Sequence, residues 1–189
     1  MTAPVPTPRP HGHGPRPGER RADRAAMLRV DQAGEYGAVR IYGGQLAVLG
    51  DRHPMSREIA HMAAQEVRHR DHFNAMMAAR GVRPTALQPF WHVAGFALGA
   101  ATALLGPEAA MACTAAVETE IDAHYARQLD ALGSDDPELS TAIADFQAEE
   151  VEHRETALRS GAEQAPAYPL LSGLIRLGCR AAIALSEKI

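Results

Sequence analysis

Proline and glycine in this chain fall between long mixed segments instead of inside repeated short ones, and from residue 20 onward no apolar–polar alternation bounded by hairpin turns is visible. That pattern predicts helices and no strands. Six follow from the punctuation: about 20–49 ending at Gly50, 55–80 with Gly81 as C-terminal cap, and 86–105 with Thr85 as cap and Gln88 three residues later. The other three are 107–132 with Pro107 at the first helical position, 137–161 with Asp136 as cap before Pro137, and 169–187. Short links between helices of this length predict antiparallel neighbours in a bundle.

One stretch departs from the charge pattern. Ala86 to Leu105 contains no Asp, Glu, Lys or Arg, and Ala86 to Val117 contains only Glu108. It reaches the length of a membrane span, yet Gln88, Pro89, His92 and Thr102 interrupt it and Gly106-Pro107 ends it. A helix lying shallowly in a bilayer face, or a wholly internal one, fits better than a span, and Gly95-x-x-x-Gly99 permits close helix contact in either setting. The last helix carries Leu170, Leu171, Leu174, Ile175 and Leu177, with Arg176 and Arg180 four apart. It suits either an anionic surface or an ordinary core-facing position.

Two segments, Gln65-Glu66-Val67-Arg68-His69 and Glu149-Glu150-Val151-Glu152-His153, each place a Glu three residues before a His, so both side chains share a helix face. Such a pair binds metal in di-iron carboxylate bundles, but alone it is weak, since Glu58-Ile59-Ala60-His61 is a third copy. Spacing is what singles out the first two. Glu66 and Glu150 are 84 apart, as are His69 and His153, while Glu35 and Glu118 are 83 apart and lie 31 and 32 residues before their respective pairs. A gap of that size is half a helix, a turn and half an antiparallel helix, which lands the single Glu beside its pair at mid-bundle.

Four helices thereby offer six ligands: Glu35, Glu66, His69, Glu118, Glu150 and His153. Two helix-pair repeats, 20–80 and 107–161, are joined by the apolar helix 86–105 as a long crossover, the connectivity of ferritin-like bundles. Four carboxylates balance two Fe(II) ions, and oxygen–nitrogen ligation without thiolate favours iron or manganese over structural zinc. Glu58 and His61 lie eight residues before the first pair and so on another face, while His72, Glu149 and Glu152 also point away from the ligand face and read as solvated. Asp122 and Tyr125, four and seven residues after Glu118, and Asp31, four before Glu35, are candidates to orient the ligands.

Composition narrows the class. The 189 residues carry 19 basic and 23 acidic side chains, a net charge of −4, so there is no basic stripe and no case for a nucleic-acid partner. Two cysteines, Cys113 and Cys179, are too few for a disulfide framework or a thiolate zinc site. Residues 1–18 hold six prolines and three glycines, so 1–19 reads as a disordered tail that is neither a secretory signal nor an amphipathic presequence, ahead of one domain over 20–189. His11 and His13 in that tail read as solvated.

Several segments together resemble the demethoxyubiquinone hydroxylase family. They are Val30-Asp31-Gln32-Ala33-Gly34-Glu35-Tyr36-Gly37-Ala38, Phe96-Ala97-Leu98-Gly99-Ala100, Thr102-Ala103-Leu104-Leu105-Gly106, Met111-Ala112-Cys113-Thr114, Ala165-Pro166-Ala167-Tyr168 and Glu149-Glu150-Val151-Glu152-His153. The likeness runs from about Asp23 to the C-terminus. It implies an all-α, ferritin-like four-helix bundle with two additional apolar or amphipathic helices, and di-iron ligands at the six positions that spacing selects. His124-Tyr125 matches a His-Tyr pair near the metals, whereas Thr119 and Asp122 depart from the family pattern.

By the same resemblance the activity is O2-dependent hydroxylation of the ring of a demethoxylated polyprenyl quinol in ubiquinone biosynthesis. It uses two iron ions and electrons from NADH or from the quinol itself, with no Rossmann motif to hold a dinucleotide. Expected partners are the quinone, a membrane surface bound interfacially, a second copy of the chain and other proteins of the pathway. The expected location is the cytoplasmic side of a bacterial inner membrane. The competing readings are a ferritin-like iron-oxidising or storage protein, a peroxide-scavenging di-metal protein and a non-catalytic membrane scaffold.

Overall fold

The computed structural model describes residues 23–189; the tail expected over 1–19 and the start of the first expected helix lie outside them. Six α-helices occur among the described residues, and no strand: α1 Arg24–Leu49, α2 Ser56–Arg80, α3 Gln88–Leu104, α4 Pro107–Leu132, α5 Pro137–Arg159 and α6 Tyr168–Ser186. A 3₁₀ turn at Ala162–Gln164 precedes α6. The helix starts follow local chemistry. Asp23 accepts from Ala26 N at 3.1 Å and Asp136 from Leu139 N at 3.2 Å, each capping free amides of a first turn. Gly81 ends α2 in the left-handed region, φ 65°, where a side chain would be strained.

Two boundaries among the described residues differ from the sequence reading by more than one residue. Thr85 does not cap α3: its Oγ1 accepts from Leu87 N and its carbonyl from Gln88 N, so it closes a turn ahead of a helix that starts at Gln88. α5 stops at Arg159, and Gly161 at φ 90° turns the chain into the 3₁₀ segment.

Contacts across the bundle give its topology. Tyr42 meets Met62 and Gln32 meets Asn74, so α1 and α2 are antiparallel; Gly161 lies against Glu108 and Gln147 reaches Asp122, so α4 and α5 are too. Asp31 with His124 and Tyr42 with Glu118 run α1 antiparallel to α4, while Phe73 with Phe146 and Arg80 with Asp136 do the same for α2 and α5. α1, α2, α4 and α5 therefore form a four-helix bundle with α3 as the long crossover.

The core is split in two. Tyr42, Ile59, Met62, Met111 and Ala112 fill one end of the bundle, and Leu28, Phe73, Tyr125, Leu132 and Ile143 fill the other. Between these apolar plugs lies a polar midsection where all six candidate ligands are buried.

Helix α3 crosses the outer face of α1 through small residues. A Cβ on Gly99 would stand 1.9 Å from the Ile41 carbonyl oxygen, and one on Gly44 2.2 Å from that of Phe96, so the backbones touch with nothing between them. Gly95 contributes the next turn of the same crossing, where a Cβ would lie 3.0 Å from Gly37 O. Helix α6 packs on α4 through Ile175, which sits with Cys113, Ala116 and Val117. Arg176 and Arg180 do not reach out to an anionic surface, as the sequence reading allowed; both close on Glu120 of α4, at 2.6 and 2.8 Å. Arg180, then Arg176, hold the Glu120 carboxyl down at about 2 against the effect of burial.

Replacing Gly99 with Ala forces α3 off α1. The variant is expected to lose ~3 kcal/mol or more of stability, read by urea unfolding, with the loss of midpoint far larger than for Gly43→Ala, where a Cβ meets nothing.

Candidate metal centre

Each bundle helix carries its ligand candidates near mid-length, so antiparallel packing brings them to one level. Glu35, Glu66, His69 and Glu150 each offer an atom within 4.8 Å of the others, and so do Glu66, Glu118, Glu150 and His153. The two groups share Glu66 and Glu150. Two adjacent cations could be held there, one offered Glu35 and His69 and the other Glu118 and His153 beside the shared pair.

The histidines are already oriented. His69 Nδ1 faces inward, 3.1 Å from Glu150 Oε1 and 3.4 Å from Glu35 Oε2, and His153 Nδ1 lies 3.0 Å from Glu66 Oε1. Their outer nitrogens are engaged elsewhere: His69 Nε2 meets Glu149 at 3.3 Å and His153 Nε2 meets Gln65 Oε1 at 3.1 Å. An outer nitrogen that donates to such a partner carries the proton, which leaves the inner lone pair for a metal. Glu66 Oε1, His69 Nδ1 and Glu150 Oε1 are buried without a hydrogen-bond partner, an arrangement that costs free energy unless something positive joins them. The donor set is oxygen and imidazole with no sulfur, which fits iron or manganese.

Electrostatics agree. Burial, then the crowding of Glu150 and its neighbours, pushes Glu66 and Glu118 well above the usual carboxylate range. Burial opposes charge on His69 as well, yet the Glu150 and Glu35 carboxylates beside it raise it to about 10. Four buried carboxylates thus draw positive charge to one point, and a divalent cation placed there would displace their protons.

The surroundings of the six repeat as the six themselves do. Tyr42 donates to Glu118 Oε1 at 2.9 Å, and Tyr125 donates to Glu35 Oε1. Tyr42 follows Glu35 by seven residues and Tyr125 follows Glu118 by seven, so each tyrosine serves the other repeat's glutamate. Gln65 and Glu149 likewise precede Glu66 and Glu150 by one, and each holds the other repeat's histidine. Gln65 Nε2 also donates to Glu149 at 2.6 Å, which links the two outer partners, and Arg68 adds a contact at 2.9 Å.

Tyr42, Gln65 and Glu149 were not among the residues singled out from sequence. The doubled spacing that selected Glu35 and Glu118 would have found all three, and Glu149 is a contact of His69, not a solvated acid. Of the named candidates, Tyr125 touches Glu35, and Asp31 lies 3.2 Å from His124 Nε2, one turn from the cluster. Asp122 touches none of the six and pairs with Arg154 and Gln147 between α4 and α5. Glu58, His61, His72 and Glu152 are exposed.

Removing the carboxylate behind His69 loosens its ring. Glu149→Ala is expected to weaken Mn(II) or Fe(II) binding ~10- to 100-fold in a competition titration, with the far-UV circular dichroism unchanged.

Known proteins place this geometry in context. Residues 22–186 match the family described as ubiquinone biosynthesis protein COQ7. A 3-demethoxyubiquinol 3-hydroxylase of Rhodospirillum rubrum is 57% identical over 163 residues, covering 86% of this chain and 77% of that protein. An NADPH-dependent 3-demethoxyubiquinone 3-hydroxylase of Mus musculus is 54% identical over 172 residues (89% and 79%), and a 5-demethoxyubiquinone hydroxylase of Saccharomyces cerevisiae is 41% identical over 179 residues (86% and 77%). With six helices, no strand among the described residues and a buried Glu/His cluster at mid-bundle, the chain belongs to the COQ7 family of ferritin-like, di-iron helical proteins.

Proposed function

We propose that this chain is an O2-dependent monooxygenase that hydroxylates the ring of a demethoxylated polyprenyl quinol in ubiquinone biosynthesis. The observation that carries the reading is the cavity beside the centre. A groove-like space of about 530 Å³ runs between α1, α3, α4 and α6, within the range of small-molecule sites. Its walls are almost wholly apolar, with Val30, Ile41, Leu98, Leu171 and Ile175 among them, and its polar residues include Asp31, His124 and Tyr125. Tyr125 donates to Glu35, so this end of the groove lies against the candidate metal site.

Glycines keep the groove open. Gly37 and Gly178 sit on its wall inside helices, and a Cβ at either would meet nothing within 4 Å. Glycine costs about 1 kcal/mol in a helix interior, and here no packing contact explains it. An isoprenoid-tailed ring needs that width. An iron store or a peroxide scavenger has no use for such a groove, which sets both alternatives behind the hydroxylase.

Glu35, Glu66, His69, Glu118, Glu150 and His153 would hold two iron ions. When bound, these supply the redox chemistry that reduces O2 with two electrons, so that one oxygen atom goes to the ring and the other to water. The chain's own part is placement. Tyr42 and Tyr125 hold Glu118 and Glu35, Glu149 and Gln65 hold the histidines, and the apolar plugs at either end of the bundle keep bulk water from the buried cluster. The electrons come from NADH, NADPH or the quinol, delivered without a dinucleotide-binding motif.

The groove opens between α3 and α6, whose outer faces are apolar: Phe90 and Val93 on one, Leu170, Leu174 and Leu177 on the other are each at least 60% exposed. We read these faces as resting on a lipid surface, from which a quinone would enter. Among the described residues α6 alone qualifies as a span by length and composition, but Arg176 and Arg180 at its middle are clamped to Glu120, and carrying charge to a bilayer centre is costly. It therefore lies along the membrane, on the cytoplasmic face of a bacterial inner membrane. Residues 23–189 form one catalytic domain, able to pair with a second copy or with pathway proteins.

Two outcomes test this reading. Glu150→Ala or His153→Ala is expected to abolish hydroxylation of a short-tail demethoxyubiquinol while helical content persists; retained activity contradicts the site. Gly37→Leu is expected to raise KM on the order of tenfold with thermal stability equal or higher, since the new side chain enters the groove and a helix glycine is removed.

A further inference from the structure

Asp31 is 2% exposed and sits on the wall of the apolar groove. Its Oδ1 faces His124 Nε2 at 3.2 Å, but Oδ2 has no hydrogen-bond partner. A buried carboxylate oxygen left bare costs more than its single bond to His124 returns, unless a donor arrives with the ligand. Behind it, His124 lies 2.9 Å from the Gln128 side-chain amide and is the residue common to two cavities. The second cavity, about 400 Å³, is lined by Ala26 and Met27 and by the charged or polar Asp23, Arg127, Gln128, Glu187 and Lys188, of which Asp23, Arg127, Glu187 and Lys188 are exposed. The dyad therefore spans the wall between a dry groove and a wet one.

We propose that Asp31 is a catalytic residue that binds a ring hydroxyl of the quinol through Oδ2, and that His124 connects it to solvent for proton exchange. The inference rests on the groove being the quinol site. A ring hydroxyl donates to Oδ2, which positions the ring beside the Tyr125–Glu35 end of the groove. In the transfer, the ring O–H bond breaks, its electron pair stays on the ring oxygen, and an O–H bond forms at Asp31. The ring becomes an anion, richer in electrons at the carbon to be hydroxylated. The proton then passes from Asp31 to His124 Nε2, and the other ring nitrogen of His124 gives one up toward the second cavity, which this residue also lines.

Burial pushes the Asp31 carboxyl up to about 6, and His124 acts against that. The other titratable groups on the wall are Tyr125 on α4 and Cys179 on α6, while Glu35, behind the wall on α1, also raises Asp31; α3 contributes the uncharged Trp91, Ala94, Gly95 and Leu98. The carboxylate form, which accepts the ring hydroxyl, is present above that value and lost below it.

The test is calorimetric binding to the metal-free full chain at pH 8, comparing a short-tail demethoxyubiquinol with its dimethyl ether, which has no hydroxyl to donate. In Asp31→Asn, whose fold is checked by circular dichroism, the quinol is expected to bind about tenfold more weakly or worse, and the ether within twofold of the unsubstituted chain. Quinol affinity of the unsubstituted chain is expected to fall as pH drops through about 6, a dependence that Asp31→Asn lacks. Equal quinol binding by Asp31→Asn, equal weakening of both ligands, or a pH limb that persists without Asp31 each overturns the role of Asp31 and leaves the groove standing. A flat pH profile in the unsubstituted chain overturns it without recourse to any variant. Failure of the unsubstituted chain to bind either ligand overturns the groove itself and this inference with it.

Discussion

Four carboxylates and two imidazoles packed into the middle of a helical bundle set the terms for the rest of the molecule. Buried carboxylates are tolerated only where each is paired, hydrogen-bonded, neutralised or joined to a cation, and the first three devices are used here. Tyr42 and Tyr125 bond Glu118 and Glu35, the histidines flank Glu150, and burial and crowding push Glu66 and Glu118 well above the usual carboxylate range. The partners cross between repeats, so neither helix pair could hold its own ligands alone. Docking the halves completes both the bundle and the site in one step.

That crossing explains what was legible from the amino-acid sequence. The helices, the caps at Asp136 and Gly81, and the six clustered residues follow from periodicity and a spacing of 83 or 84. Glu149 did not, because a helix wheel turns it about 100° from Glu150 and assigns it to solvent. Its long side chain instead reaches a histidine on the neighbouring helix, and single-helix geometry does not contain the neighbour. The same limit hid the clamp of Glu120 on Arg176 and Arg180, where two basic residues on an amphipathic helix looked available to lipid. Thr85 failed as a cap for a more local reason: its hydroxyl and carbonyl are spent on a turn that ends just before α3 begins.

The apolar additions make a general metal-binding bundle into a specific one. α3 lies on α1 at backbone contact through Gly44 and Gly99, and α6 is fixed to α4 by Ile175 and the Glu120 pairs. Held in this way, the two helices leave a groove between them whose floor is formed by α1 and α4, with Tyr125 standing between the groove and Glu35. Trp91 Nε1 donates to Ser186 Oγ at 3.1 Å, tying the ends of α3 and α6 across the space. Asp31, His124 and Tyr125 are thus presented to a ligand that is otherwise surrounded by hydrocarbon, which suits a ring on an isoprenoid tail.

The central claim is that the buried cluster and the groove act together on a quinol ring. Its most direct test is mass spectrometry of the product after anaerobic loading with Fe(II), addition of a short-tail demethoxyubiquinone with NADH, and exposure to labelled O2. The account predicts a hydroxylated ring carrying one labelled oxygen. Oxidation of the iron with an unchanged ring, in the presence of that reductant and substrate, would contradict it.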